Sequence, residues 1–136
     1  MMTVRKRTMS LLLLVICLIS LSRGAFAADT GNAEQLCSIT IQYSHNGQAL
    51  SNADFSIYYV ARQNGGAFEK SHSFSRYSFD CDPQDTQSWR VLANTLESYA
   101  IRDRVAVNAR KTTGINGSVS FTELAQGLYL VSGNTV

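Results

Sequence analysis

The stretch from Lys111 to Val131, KTTGINGSVSFTELAQGLYLV, decides how this chain folds. Gly114 and Gly117 bracket Ile115-Asn116, which predicts a tight turn with positive φ supplied by glycine. Beyond it Val119 and Phe121 alternate with Ser118, Ser120 and Thr122, the period of a strand with one apolar and one polar face. Leu124 closes that strand at a corner and Gly127 opens the next. There Tyr129 and Val131 share one side and Leu128 and Leu130 the other, so the last strand is apolar on both faces and is expected at the centre of a sheet. The pair reads as a closing hairpin, Ser118 to Val131.

Working outward, the segment before the turn, Val105 to Lys111, has strand character, and the first strand of the body runs from Cys37 to Ser44. In that strand Ile39, Ile41 and Tyr43 alternate with Ser38, Thr40 and Gln42. His45-Asn46-Gly47 is a turn signal. Ala53 to Ala61 is a second strand, with Phe55, Ile57 and Tyr59 on one side and Tyr58 and Val60 on the other, ended by Asn64-Gly65-Gly66. Phe68 to Asp82 is mixed, with Phe74, Tyr77 and Phe79 lining at most a short irregular strand. Then Trp89, Leu92, Ala93, Leu96 and Tyr99 or Ala100 recur at helical spacing, which predicts an amphipathic helix over Thr86 to Arg102. Pro83 precedes it, and Asp82 or Asp85 is available as N-cap. Trp89 is expected to anchor this helix.

The spacing G-x-V-x-F-x-x-L-x-x-G-x-Y-x-V, from Gly117 to Val131, resembles the closing segment of the Cna B-type, or SpaA-like, domains of Gram-positive pilins and surface adhesins. A second block carries the same likeness: Ile39-Thr40-Ile41, Gly47-x-x-Leu50 and Ala53-x-Phe55-x-Ile57-Tyr58-x-Val60-Ala61. The resemblance implies a mainly β, immunoglobulin-like or prealbumin-like sandwich spanning residues 37–136. The helix at about 86–102 would be an insertion, and the last strand would be missing. It also implies a surface-displayed structural or adhesive module, not an enzyme, whose partners are neighbouring surface-protein modules or a host matrix protein.

Arg5, Lys6 and Arg7 precede the apolar run Leu11 to Leu21, and Ala25-Phe26-Ala27 offers small residues for cleavage between Ala27 and Ala28. Residues 1–27 therefore read as a secretory signal, and the apolar run is too short for a membrane-spanning helix. Residues 28–36 are polar and aperiodic, a flexible lead-in. Removing the signal leaves 109 residues, room for one domain. It also leaves eight basic against ten acidic residues, a net charge of −2, so the basic balance of the whole chain is a property of its leader. Nucleic-acid binding has little to rest on, since only the pairs Arg102/Arg104 and Arg110/Lys111 concentrate positive charge. No wall-sorting motif or membrane anchor is expected in the mature chain.

Many members of the resembled family carry a self-formed isopeptide bond between a buried first-strand lysine and an Asn or Asp on the last strand. Burial keeps the amine neutral and a neighbouring carboxylic acid protonated. Here Gln42 stands at the lysine position and Gly133 at the acid position, and the lysines of the mature chain are Lys70 and Lys111. The family's cross-link is therefore not expected. Cys37 and Cys81, exported together, form either a disulfide or two separate thiols; a bridge would stabilise by about 4 kcal/mol on the loop-entropy account. His45 and His72 lack zinc-ligand spacing, and Asp80, Asp82 and Asp85 lack the order of a calcium loop. No catalytic, cofactor or metal site is assigned. A free secreted carrier of transthyretin-like shape, or a protease inhibitor, is the alternative, and a pocket beside Trp89 and Tyr99 would favour it. A metal- or calcium-dependent enzyme would retain its ion through dialysis.

Overall fold

The structure, a computed structural model, describes residues 13–16 and 35–134. The cleavage site expected at Ala27 and Ala28, and most of the expected leader and lead-in, lie outside them. Nine strands and one α-helix follow in order: β1 Leu13–Ile16, β2 Cys37–Gln42, β3 Ser44–His45, β4 Gln48–Ala49, β5 Asp54–Asn64, β6 Ala67–Lys70, α1 Thr86–Arg102, β7 Ala109–Thr112, β8 Ser118–Leu124 and β9 Gly127–Asn134. The described residues are mainly β with a single α-helix. The helix spans the residues its periodicity predicts.

The long strand β5 organises the main sheet. Its first half pairs with β7 and its second half with β6, both on one edge, while β9 runs antiparallel along the other edge from Asp54↔Asn134 to Arg62↔Gly127. A register shift between Tyr59 and Ala61 marks a bulge in this pairing. On its far side β9 pairs antiparallel with β1. β2 and β8 form a separate two-stranded sheet in which Ile39 faces Phe121 and Ile41 faces Val119. The side chains between the two sheets form one core: Ile39, Ile41, Phe55, Ile57, Val119, Phe121, Tyr129 and Val131 are all buried together.

β8 and β9 are therefore not a hairpin. β8 pairs with β2 and β9 with β5, so Ala125-Gln126 carries the chain from one sheet to the other. The cause is visible in the two alternations. Ser118, Ser120 and Thr122 give β8 a polar face that remains at the surface, whereas β9 is buried from Gly127 to Ser132 and needs cover on both sides. Gly127 fits this crossing because a Cβ there would stand 2.2 Å from the Ala61 carbonyl oxygen.

The second face of β9 meets the helix. Leu128, Leu130, Val60 and Ala61 pack with Leu92, Ala93 and Leu96 of α1 and with Phe74 and Tyr77, giving a second core on the other face of the main sheet. Phe74 and Tyr77 do not line a strand: His72–Phe74 is a 3-10 turn that tucks Phe74 fully inside, and β6 ends at Lys70. Trp89, expected as the helix anchor, packs half-buried at the margin of this core, whereas Leu96 at its centre has no exposed surface. The helix stripe is centred on Leu92, Ala93, Leu96 and Ala100, a turn further along than its largest side chain.

The strand expected over Val105 to Lys111 is confined to β7, because Val105 is spent closing the helix: its N–H donates to the Ala100 carbonyl while Arg104 takes φ +52°. At the other end, Asp85 is the cap. Its Oδ1 accepts from the Ser88 N–H at 2.9 Å. The His45-Asn46-Gly47 signal becomes the tight hairpin of β3 and β4, with positive φ at Asn46 and Gly47.

Candidate functional site

Each polar residue that the sequence offers for chemistry has a structural place. Gln42 is exposed on β2 and its side-chain amide donates to the Asn116 carbonyl at 2.7 Å. Gly133 lies against the Phe55 ring, which a Cβ would approach to 2.8 Å, so an acid there would have to displace a core aromatic. Lys70 donates to the Tyr77 carbonyl at 2.7 Å with its ammonium 4.4 Å from the centre of the Phe79 ring. Lys111 donates to the Ser120 carbonyl at 2.8 Å and lies over Phe121.

Cys37 and Cys81 are not joined to each other. Cys37 lies on β2, paired with Leu124 at the rim of the small sheet, while Cys81 packs beside the helix-side core, on the other face of the main sheet. Burial pushes the Cys81 thiol above its ordinary range, with nearby Lys70 acting against that shift. His45 and His72 are exposed on β3 and in the 3-10 turn. Asp80 accepts from the Asp82 N–H and Asp85 caps the helix, and no group of three metal-ligating side chains is found among the described residues.

A cluster that sequence reading did not anticipate lies at the end of α1. Asp103 accepts from both Nε and a terminal nitrogen of Arg102 at 2.8 and 2.7 Å, and from the Tyr77 hydroxyl at 2.5 Å, with Arg76 at 3.2 Å. The Tyr77 ring stacks on Tyr99 at 4.4 Å. Tyr77 and Asp103 are 26 positions apart, and nothing in local spacing links them. The Arg102 hydrogen bonds first, then that from Tyr77, hold the Asp103 carboxyl well below the usual carboxylate range. Because the folded value is depressed, its stabilisation is complete above pH of about 4 and is lost as pH falls below that. The Asp85 carboxyl is lowered in the same sense by Ser88. Between pH of about 4 and 2 the urea midpoint is expected to fall more steeply for the wild type than for Asp103→Asn; equal slopes would show that the cluster contributes nothing.

A polar seam couples helix to sheet. The Ser132 hydroxyl of β9 hydrogen-bonds Glu97 of α1, and across the strands Arg110 donates to Ser56 at 3.0 Å, Ser56 being the register partner of Ser132. Tyr58, on the same face, has its hydroxyl pKa raised by burial.

Two open grooves flank these elements. One of about 590 Å³ runs along the start of α1, lined by Phe79, Pro83, Asp85, Val91 and Leu92. The other, of about 460 Å³, lies over β5 and β6 between Tyr59, Arg62, Lys70, His72 and Asn108. Neither is lined by Trp89 or Tyr99, the pair beside which a carrier's pocket was expected. No helix among the described residues is long and apolar enough to cross a membrane. No family model, curated protein or solved structure matches this chain.

Proposed function

We propose that this chain is an exported, surface-displayed structural or adhesive module of the Cna B type, working by presentation and not by catalysis, and without the isopeptide bond of that family. The observation that carries the reading is the way the motif residues converge: Val119 and Phe121 from one sheet and Tyr129 and Val131 from the other enclose a single core with Ile39 and Ile41. That convergence supports a sandwich built on the spacing that the resemblance rests on. Both lysines of the mature chain are engaged with backbone carbonyls, which supports the absence of a cross-link. Isopeptide formation expels ammonia or water, so the intact mass of the mature protein is expected to equal that of its sequence from Ala28, and a mass lower by either loss would refute this part of the proposal.

Display is tested on intact cells of the producing organism with an antibody raised against the folded domain. Surface staining is the expected result. Recovery of the protein wholly in the medium would favour the secreted carrier, and retention inside the cell with the leader attached would overturn both. The carrier reading has the groove at the start of α1 in its favour, where Val91 is 55% exposed beside Pro83.

A further inference from the structure

Four residues of the expected leader belong to the fold. Leu13–Ile16 adds to the main sheet as its edge strand, with Leu13 opposite Val131, Leu14 opposite Leu130, Val15 opposite Tyr129 and Ile16 opposite Leu128. α1 lies against β1 as well as β9, so the helix reaches over the neighbouring strand. Cutting the chain after Ala27 takes that strand away. β9 would then be left with an uncovered edge, on a strand whose Leu128, Leu130 and Val131 have no exposed surface while the leader strand is in place. Bare edges are normally blunted by charge, proline or a bulge, and their unpaired N–H and C=O groups cost free energy when they are kept from water. Residues 127–134, GLYLVSGN, contain neither a charged residue nor a proline.

We propose that the β9 edge is a strand-acceptor site, filled before processing by the leader and afterwards by an extended apolar segment of another polypeptide, antiparallel to β9 and with apolar residues opposite Leu128 and Leu130. The inference rests on the export reading, since it needs the leader to be removed. Residues 28–36, ADTGNAEQL, have no apolar alternation with which to replace it. A second copy is disfavoured by geometry. Antiparallel β9-to-β9 pairing keeps both helices on the same face of the joined sheet, and each already overhangs the position of the neighbouring strand. A lone strand brings no helix with it. Recognition of this kind draws affinity from the main chain and selectivity from alternate side chains.

The test begins with N-terminal sequencing of the exported protein, because a retained leader would sink the export reading and not the geometry. The chain beginning at Ala28 is then titrated with a peptide of residues 12–16 flanked by added lysines, and with the same peptide carrying both Leu14→Pro and Val15→Pro, one of which removes a ladder N–H whichever of the two faces β9. Amide exchange in residues 127–134 is expected to slow at least tenfold with the first peptide and to be unchanged by the second, while residues 118–124 are unaffected by either. Should the chain be unfolded alone, the first peptide is expected to restore the near-ultraviolet dichroism of Trp89. No response to either peptide, an equal response to both, or β9 protection that rises with protein concentration alone would overturn the proposal, the last by identifying a second copy as the occupant.

Discussion

Phe121→Ala is expected to destabilise the domain by about 3–5 kcal/mol, the largest effect of any single truncation in the core between the two sheets. The ring is 1% exposed, sits at the register position opposite Ile39 and fills the space between the two sheets with Phe55, Ile57 and Val131. Alanine would remove most of its buried area and leave a cavity that two independently hydrogen-bonded sheets cannot close by sliding, since each register is pinned by its own ladder. Lys111 would also lose the ring beneath its ammonium, a smaller term. Thr122→Ala, on the exposed face of the same strand, serves as the control and should fall within about 0.5 kcal/mol of wild type. Urea denaturation of both variants decides the matter: similar midpoints would mean that β8 does not cover a core.

Leu96→Ala is the second large effect, about 2–5 kcal/mol, and it is expected to exceed Trp89→Ala. Size alone predicts the opposite order. Leu96 is fully enclosed between the helix and Val60, Leu128 and Leu130 of the sheet, whereas Trp89 is half-buried at the margin of that cluster and keeps contact with water on one side. The truncated indole surrenders only the area it had buried, and its site at the margin can fill with solvent instead of leaving an empty cavity. The comparison is made by chemical denaturation followed by far-ultraviolet dichroism, since Trp89 is the one tryptophan and is absent from one variant. A larger loss for Trp89→Ala would return the anchor to the start of the helix and imply that the C-terminal turns are loosely held.

The two cores explain why the helix matters to the sheets. β9 contributes Tyr129 and Val131 to one and Leu128 and Leu130 to the other, so a cavity on the helix side is felt by the strand that also closes the core between the sheets. The Ser132–Glu97 contact and the clasp at Asp103 hold the helix at two further points, one on the strand and one beyond its last turn. Loss of the leader strand acts on this same element. The β9 edge, the helix overhang and the second core thus form one mechanical unit, and occupancy of the edge is expected to be read in the exchange behaviour of β9 before any other strand.

What the sequence determined by itself was periodic and local. Alternation at Val119/Phe121 and at Leu128 through Val131 marked the strands and the burial of each face, and the i, i+3, i+4 recurrence after Asp85 marked the helix from Thr86 to Arg102. These patterns are legible because strand and helix geometry dictate which neighbours share a face. Partnership was decided only in three dimensions. Whether β8 folds back on β9 or crosses to β2, whether Trp89 or Leu96 fills the centre of the helix contact, and that Tyr77 meets Asp103 all depend on contacts between distant segments. Such contacts form where total burial and hydrogen bonding are jointly satisfied, and no spacing along the chain encodes that. The same holds for the N-terminal apolar run: its composition led to the expectation of an export signal, but only the sheet made four of its residues, Leu13–Ile16, part of the fold.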